Sequence, residues 1–267
     1  MKLGIISDIH LDINEGYPVM DILADLLKKE QCEGLILAGD ISSKADQTFE
    51  WLEPIREKIQ MPLWFVPGNH DMWDPERKYT NTWEIYEKYK AEKDCLCGKA
   101  IVLNEDTVIT GSLGWYDYTF GSEGYSLEEF DKKSRGGRTW QDSLFAHWGE
   151  DDASVCRKMV KELSDVLEAN KGKKIITVTH MLSIPEFCVD PANGNWDYFN
   201  AFLGSSAFGK LFEDQHILCS IMGHVHYREQ LVRNGVDYRC ACLGYFNEWP
   251  TPVLKDEVAD SLQFIEI

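Results

Sequence analysis

An α/β fold with mixed strand directions is predicted by three observations on these 267 residues. First, residues 3–7, 35–38, 63–66, 175–179 and 217–222 are short, continuous apolar runs, the pattern of strands buried on both faces of a sheet. Second, amphipathic spans lie between such runs and serve as crossovers. Val19, Ile22, Leu23, Leu26 and Leu27 repeat at helical spacing, with Pro18 at the start and Lys28 and Lys29 in the last turn. Residues 152–169 place Cys156, Met159, Val160, Leu163 and Leu167 on one face and stop at 170–172. Third, residues 102–111 and the tail 231–267 carry shorter, alternating runs broken by Asn104, Asn234-Gly235 and Gly244, which read as hairpins. Parallel crossovers together with antiparallel hairpins make the sheets mixed.

A single domain over 1–267 is expected, because a chain of this length at 44% hydrophobic buries a substantial core. Two segments depart from the alternation. Residues 112–150 carry Trp115, Tyr116, Tyr118, Tyr125, Trp140 and Trp148, and residues 183–215 carry Pro185, Phe187, Trp196, Tyr198, Phe199 and Phe202. Long connections of this kind are either lids over a substrate cleft or excursions anchored to the core by their aromatics, the anchor being the commoner use of each residue.

The net charge is −18, with 27 basic residues against 45 acidic ones. That balance disfavours nucleic acid as a partner, since neutralising phosphates needs clustered Lys and Arg. The first strand run leaves no room ahead of it for a secretory leader, and no run reaches membrane-spanning length, so a soluble, cytoplasmic protein without membrane association is expected. Eight cysteines fall short of a disulfide scaffold and are expected as free, mostly buried thiols. Cys95-x-Cys97 and Cys240-x-Cys242 lack the two-residue gap of zinc ribbons. No feature specifies an oligomeric state.

Each of the five strand runs breaks off at residues able to bind metal: Asp8-x-His10, Gly39-Asp40, Gly68-Asn69-His70-Asp71, Thr179-His180 and Gly223-His224-x-His226. Taken singly, an Asp-x-His or a Gly-Asp is an ordinary turn, and His224-x-His226 an ordinary surface pair. Jointly they hold five of the seven histidines, leaving His147 and His216 to be read as structural. Residues two apart at a strand end turn to the same side, so Asp8 with His10, and His224 with His226, are natural chelates. Carboxylate, imidazole and amide oxygen together suit Mn, Fe, Zn, Ni or Co rather than Ca or an all-thiolate site. Asp40, after a glycine that permits close approach, has two oxygens able to bridge two cations. Such a pair polarises a phosphoryl group and supplies hydroxide near neutral pH.

In the order and spacing of these five blocks the chain resembles the calcineurin-like metallophosphoesterase family over nearly its whole length. The resemblance implies a four-layer α-β-β-α sandwich, two mixed sheets flanked by helices, around a dinuclear metal centre. It implies that Asp8, His10 and His226 hold one metal and Asn69, His180 and His224 the other, with Asp40 between them. It further implies that His70 assists the leaving oxygen, and that Asp71 orients the His70 imidazole. The expected activity is hydrolysis of a small phosphomonoester or phosphodiester by a hydroxide shared between two divalent metal ions. The stretches Trp115-Tyr116-Asp117-Tyr118 and Phe199-Asn200-Ala201-Phe202-Leu203-Gly204-Ser205 are similar to a bacterial subgroup of phosphoesterases. Within the two irregular segments and beside them, Arg135, Arg138, Trp196 and Tyr245 are the expected substrate contacts.

Three rivals can be weighed on the same residues. A metal-dependent nuclease could use the same centre but is opposed by the charge. A catalytically silent metal-binding scaffold usually lacks a ligand or the His70 equivalent, and here all are present. Oxygen-activating dimetal sites are usually built from Glu and His on bundle helices rather than at strand ends.

Overall fold

The computed structural model describes residues 1–267. Its strands, in chain order, are β1 (Lys2–Ile6), β2 (Gly34–Ala38), β3 (Leu63–Val66), β4 (Ala100–Val102), β5 (Thr107–Ser112), β6 (Ser134–Arg135), β7 (Arg138–Thr139), β8 (Lys174–Thr179), β9 (Cys219–Met222), β10 (Arg228–Arg233), β11 (Val236–Ala241) and β12 (Gln263–Glu266). The helices are α1 (Val19–Lys29), α2 (Ala45–Ile59), α3 (Thr82–Ala91), α4 (Leu127–Asp131), α5 (Asp142–Phe145), α6 (Asp152–Ala169), α7 (Trp196–Phe199), α8 (Ser206–Asp214) and α9 (Leu254–Ser261).

Two mixed sheets form the centre, ordered β12-β1-β2-β3 and β10-β11-β9-β8-β5-β4, with β6 and β7 as a separate small hairpin. In each sheet the inner strands run parallel, and β12, β4 and β10 are the antiparallel edges. Helices α1, α2 and α9 pack together by the first sheet, and α6 with α8 by the second. Both helices named from sequence form as read. Helix α1 follows Pro18, and α6 is capped by Asp151, whose carboxylate accepts from Ser154 N at 2.8 Å. At the β10–β11 turn, Asn234 (φ 50°) and Gly235 (φ 85°) take the paired left-handed conformations that a tight hairpin requires.

The sheets are joined along two seams. At one, Ser7 N donates to Ala241 O at 2.9 Å and forms a parallel bridge with Cys242. At the other, residues 95–97 run between β3 and β5, with Leu96 N donating to Phe65 O and Gly111 N to Leu96 O. Both Cys-x-Cys motifs lie at these seams, where a small, buried apolar side chain packs between sheets. All eight cysteines are free thiols, six of them buried. The buried apolar side chains form one cluster of 71 residues, from Leu3 to Ile265.

The irregular segments are largely held down by their aromatics. Trp115, Tyr116, Tyr118, Trp148, Phe187, Tyr198, Phe199 and Phe202 are buried, and Asp152 of α6 accepts from the Trp115 indole at 2.8 Å and from the Tyr118 hydroxyl. Tyr125, Trp140 and Trp196 are the half-buried exceptions, and the two tryptophans reach a cleft. No helix is long and apolar enough to cross a membrane.

Candidate metal centre

Strands β1, β2, β3, β8 and β9 all end on one side of the molecule, and the five polar blocks follow those ends. The loops interlock through their backbones: Asp8 N donates to Gly39 O (2.9 Å), His10 N to Asp40 O (3.1 Å) and Gly223 N to His180 O (2.8 Å). Glycine is required where they touch. A Cβ on Gly39 would lie 2.5 Å from His180 Nδ1 and 2.8 Å from the Gly68 Cα, and one on Gly68 would meet the Asp40 amide.

All seven expected ligands meet there. His226 Nε2 lies 3.5 Å from Asp8 Oδ1 and 3.3 Å from His10 Nε2. His180 Nε2 lies 3.1 Å from Asn69 Oδ1, and its ring is T-shaped to that of His224 with centroids 5.2 Å apart. Asp40 stands between the two groups, with Oδ1 3.3 Å from His180 Nε2 and Oδ2 3.6 Å from His10 Nε2. Ligand atoms of Asp8, His10 and His226, of Asp40, His180 and His224, and of His10, Asp40 and His70 fall within metal-sharing distance.

The means of orientation differs from the expectation. Strand β1 stops at Ile6, so strand alternation does not turn Asp8 and His10 together. Asp8 (φ 53°), His10 (φ 39°), Asp40 (φ 52°), His224 (φ 75°) and His226 (φ 56°) instead sit in the left-handed region, which costs of order 1 kcal/mol for each such residue.

The donor set fits a pair of transition-metal cations. His224 Nε2 and His10 Nδ1 are buried without a partner, and the Nε2 atoms of His10 and His226 face each other. Burial, reinforced by neighbouring histidines, holds His10, His70 and His224 well below the usual imidazole range, so they are neutral, the form that binds metal. Burial also raises Asp40. It opposes protonation of His180, but the Asp40 and Asp8 carboxylates outweigh it and raise His180.

Two groups behind these side chains escaped the sequence reading. Glu248 takes His226 Nδ1 at 2.6 Å, which leaves Nε2 to face the centre, as the Ala38 carbonyl does for His180 Nδ1 at 2.9 Å. Asp142, buried at the start of α5, accepts from Asn69 Nδ2 at 2.8 Å. Neither shares a spacing with its partner that a sequence pattern would show.

His70 and Asp71 are adjacent to the cluster but do not act on each other as expected. The Asp71 carboxylate accepts from Gly68 N (2.7 Å), Thr48 Oγ1 (2.6 Å), Ser42 N (3.1 Å) and Ile41 N (3.1 Å), which fills its lone pairs. His70 Nδ1 has no partner, and the ring is held instead by stacking on Trp73 (centroids 3.7 Å, 25°). Asp71 therefore ties the loop after β2 to the loop after β3, and Trp73 orients the imidazole.

The cluster opens into a cleft of about 1190 Å³. Tyr245 lies against His10 and His226 (centroids 4.6 Å from each), and Trp140 against His224 (5.8 Å). Arg138, stacked on Trp196 at 4.8 Å, lines the cleft as expected. Arg135 does not, since its guanidinium packs on Tyr125 and Tyr198. His147 and His216 stand outside the lining.

The calcineurin-like phosphoesterase family model matches residues 1–228. This chain belongs to that family. Its chemistry is accordingly metal-dependent hydrolysis of a phosphoric ester, the family being dinuclear. Among curated relatives, the acyl-carrier-protein phosphodiesterase PptH of Mycobacterium tuberculosis is 22% identical over 92% of this chain and 79% of its own. An uncharacterised protein of Acanthamoeba polyphaga mimivirus is 23% identical over 92% of both. The crystal structure of the M. tuberculosis phosphopantetheinyl hydrolase superposes with a TM-score of 0.79 at 19% identity, covering 99% of this chain and 95% of that one. A dimetal phosphatase from Danio rerio gives 0.53 at 14% identity, covering 90% and 86%. These likenesses agree with the sandwich fold.

Proposed function

We propose that the chain hydrolyses a phosphodiester in the cytoplasm, as a single domain over 1–267, with Asp8, His10 and His226 holding one cation, Asn69, His180 and His224 a second, and Asp40 between them. The observation that carries the diester reading is the pair of aromatic walls, Tyr245 on the His10–His226 flank and Trp140 on the His224 flank, which gives each side of the phosphorus room for an organic group. Mn, Fe, Zn, Ni and Co all suit the donor set, and such cations, when bound by these residues, would supply a water of lowered pKa and positive charge for the phosphoryl oxygens.

The protein's own residues do the rest. Asp40 Oδ1 accepts from His70 N at 3.0 Å, which fixes the start of the His70 turn, and the Trp73 stack fixes its ring. From there the His70 imidazole donates to the departing oxygen. Arg138 and the indole face of Trp196 meet the organic part of the substrate. Phosphopantetheinylated acyl carrier protein, the ester class named for the M. tuberculosis relative, is the first protein-borne substrate to try.

The test is turnover of p-nitrophenyl phosphate, its bis ester and that carrier protein with Mn, Fe, Zn, Ni or Co added singly. Faster hydrolysis of the diesters is expected. A preference for the monoester sinks the diester reading, and degradation of single-stranded DNA at physiological salt moves the substrate to nucleic acid.

A further inference from the structure

One carboxylate stands behind three parts of the site. Asp142 Oδ1 accepts from Asn69 Nδ2 and from the Trp73 indole N–H, each at 2.8 Å, and Oδ2 accepts from the Trp140 indole N–H at 2.8 Å. The group is buried, and all three donors come from side chains around the site. Each donor belongs to a residue that meets the centre. Asn69 faces His180, Trp73 stacks on His70, and Trp140 packs edge-on against His224.

The consequence is sharpest at Asn69. An amide has an oxygen end that binds a cation and an NH₂ end that repels one, and the ends are nearly equal in shape. Only a group behind the amide that accepts and cannot donate fixes which end points inward, and an ionised carboxylate is that group. We propose that Asp142 is the positioning residue of this centre: it turns the Asn69 oxygen toward the cations and holds Trp73 and Trp140 as the walls against His70 and His224. Asp142 comes from the irregular segment 112–150, so that segment shapes the metal site as well as the cleft.

The inference rests on the proposed place of Asn69 among the ligands, and the experiment separates the two. Mn²⁺ binding is titrated calorimetrically, without substrate, on the full chain carrying Asp142→Asn, Asp142→Ala or Asn69→Ala. In Asp142→Asn one amide must serve three donors, so an N–H faces at least one of them. Asp142→Ala offers none an acceptor. The expected order of Kd is wild type, then Asn, then Ala, with Asp142→Ala about ten- to a hundredfold weaker, the usual effect of removing a partner behind a metal ligand. Wild-type affinity in Asp142→Ala, or Asn no better than Ala, overturns the positioning role. Wild-type affinity in Asn69→Ala instead removes Asn69 from the ligand set. If Asp142→Ala does not fold, Asp142→Asn decides alone: a Kd at least about threefold higher at unchanged metal-free Tm supports the role, and a wild-type Kd overturns it.

Discussion

Replacing His70 with alanine separates the chemistry of the centre from its assembly. The imidazole contributes a stack on Trp73 and an edge-on contact with His10, and its side chain is 14% exposed, so truncation costs roughly 0.5–1.5 kcal/mol of stability and a Tm loss of a few degrees. Loss of a positioned proton or hydrogen-bond donor to the leaving oxygen lowers kcat about 10²–10⁴-fold, or roughly 2.7–5.4 kcal/mol of barrier, which exceeds any stability effect. The loss is expected to be largest for an alkyl leaving group and smaller for p-nitrophenolate, which departs with less help. The assay is kcat on a bis-p-nitrophenyl ester and on an alkyl diester at saturating Mn²⁺, beside metal content by elemental analysis. His70 Nε2 lies 3.9 Å from Asp40 Oδ2 and could reach a cation with it, which gives the experiment its second edge. Metal content falling from two ions to one in His70→Ala would make the residue a ligand, and equal loss across leaving groups would refute the donor role.

Three further outcomes follow from the same geometry. Stripping two cations from protein kept at about 100 times Kd in Mn²⁺ removes about 2.7 kcal/mol for each site, or roughly 5.4 kcal/mol, so Tm falls by roughly 10–20 °C in a calorimetric scan; a Tm indifferent to chelator means the histidine cluster holds no metal. Glu248→Gln removes the charge from the contact to His226 Nδ1, and because Glu248 is half exposed the Mn²⁺ affinity drops only about tenfold; an unchanged titration would leave His226 oriented by something else. Asp71→Ala strands the amides of Ile41, Ser42 and Gly68, at about 1–3 kcal/mol for each buried group, leaves the Thr48 hydroxyl only its Ser42 contact, and destabilises the metal-free protein strongly. Should Asp71→Ala melt like wild type and lose only kcat, the carboxylate works on His70 after all.

The sandwich was legible because its inner strands are covered on both faces, so β1, β2, β3, β8 and β9 appear in sequence as unbroken apolar runs. Helices α1 and α6 were legible from their stripes. Helix α2 was not, since Pro54 interrupts it and its buried side is spread over Ala45, Thr48, Leu52, Ile55 and Ile59. The side chains that meet the centre could be read because each closes a strand, an adjacency written along the chain. Their supports could not. Glu248 lies 22 residues from His226, and Asp142 lies 73 from Asn69, so both contacts exist only through folding. The same holds for Asp71, whose neighbour in sequence is His70 but whose partners in space are Ile41, Ser42, Thr48 and Gly68.

The left-handed backbone at Asp8, His10, Asp40, His224 and His226 bears on any effort to harden this protein. Glycine relieves such a conformation at little steric cost, so a selection for heat resistance run in chelator rewards glycine at those five positions and, under the proposed ligand set, enriches for folded chains that bind no cation. Breeding a sturdier enzyme from this scaffold therefore calls for cations in the selection medium from the first round.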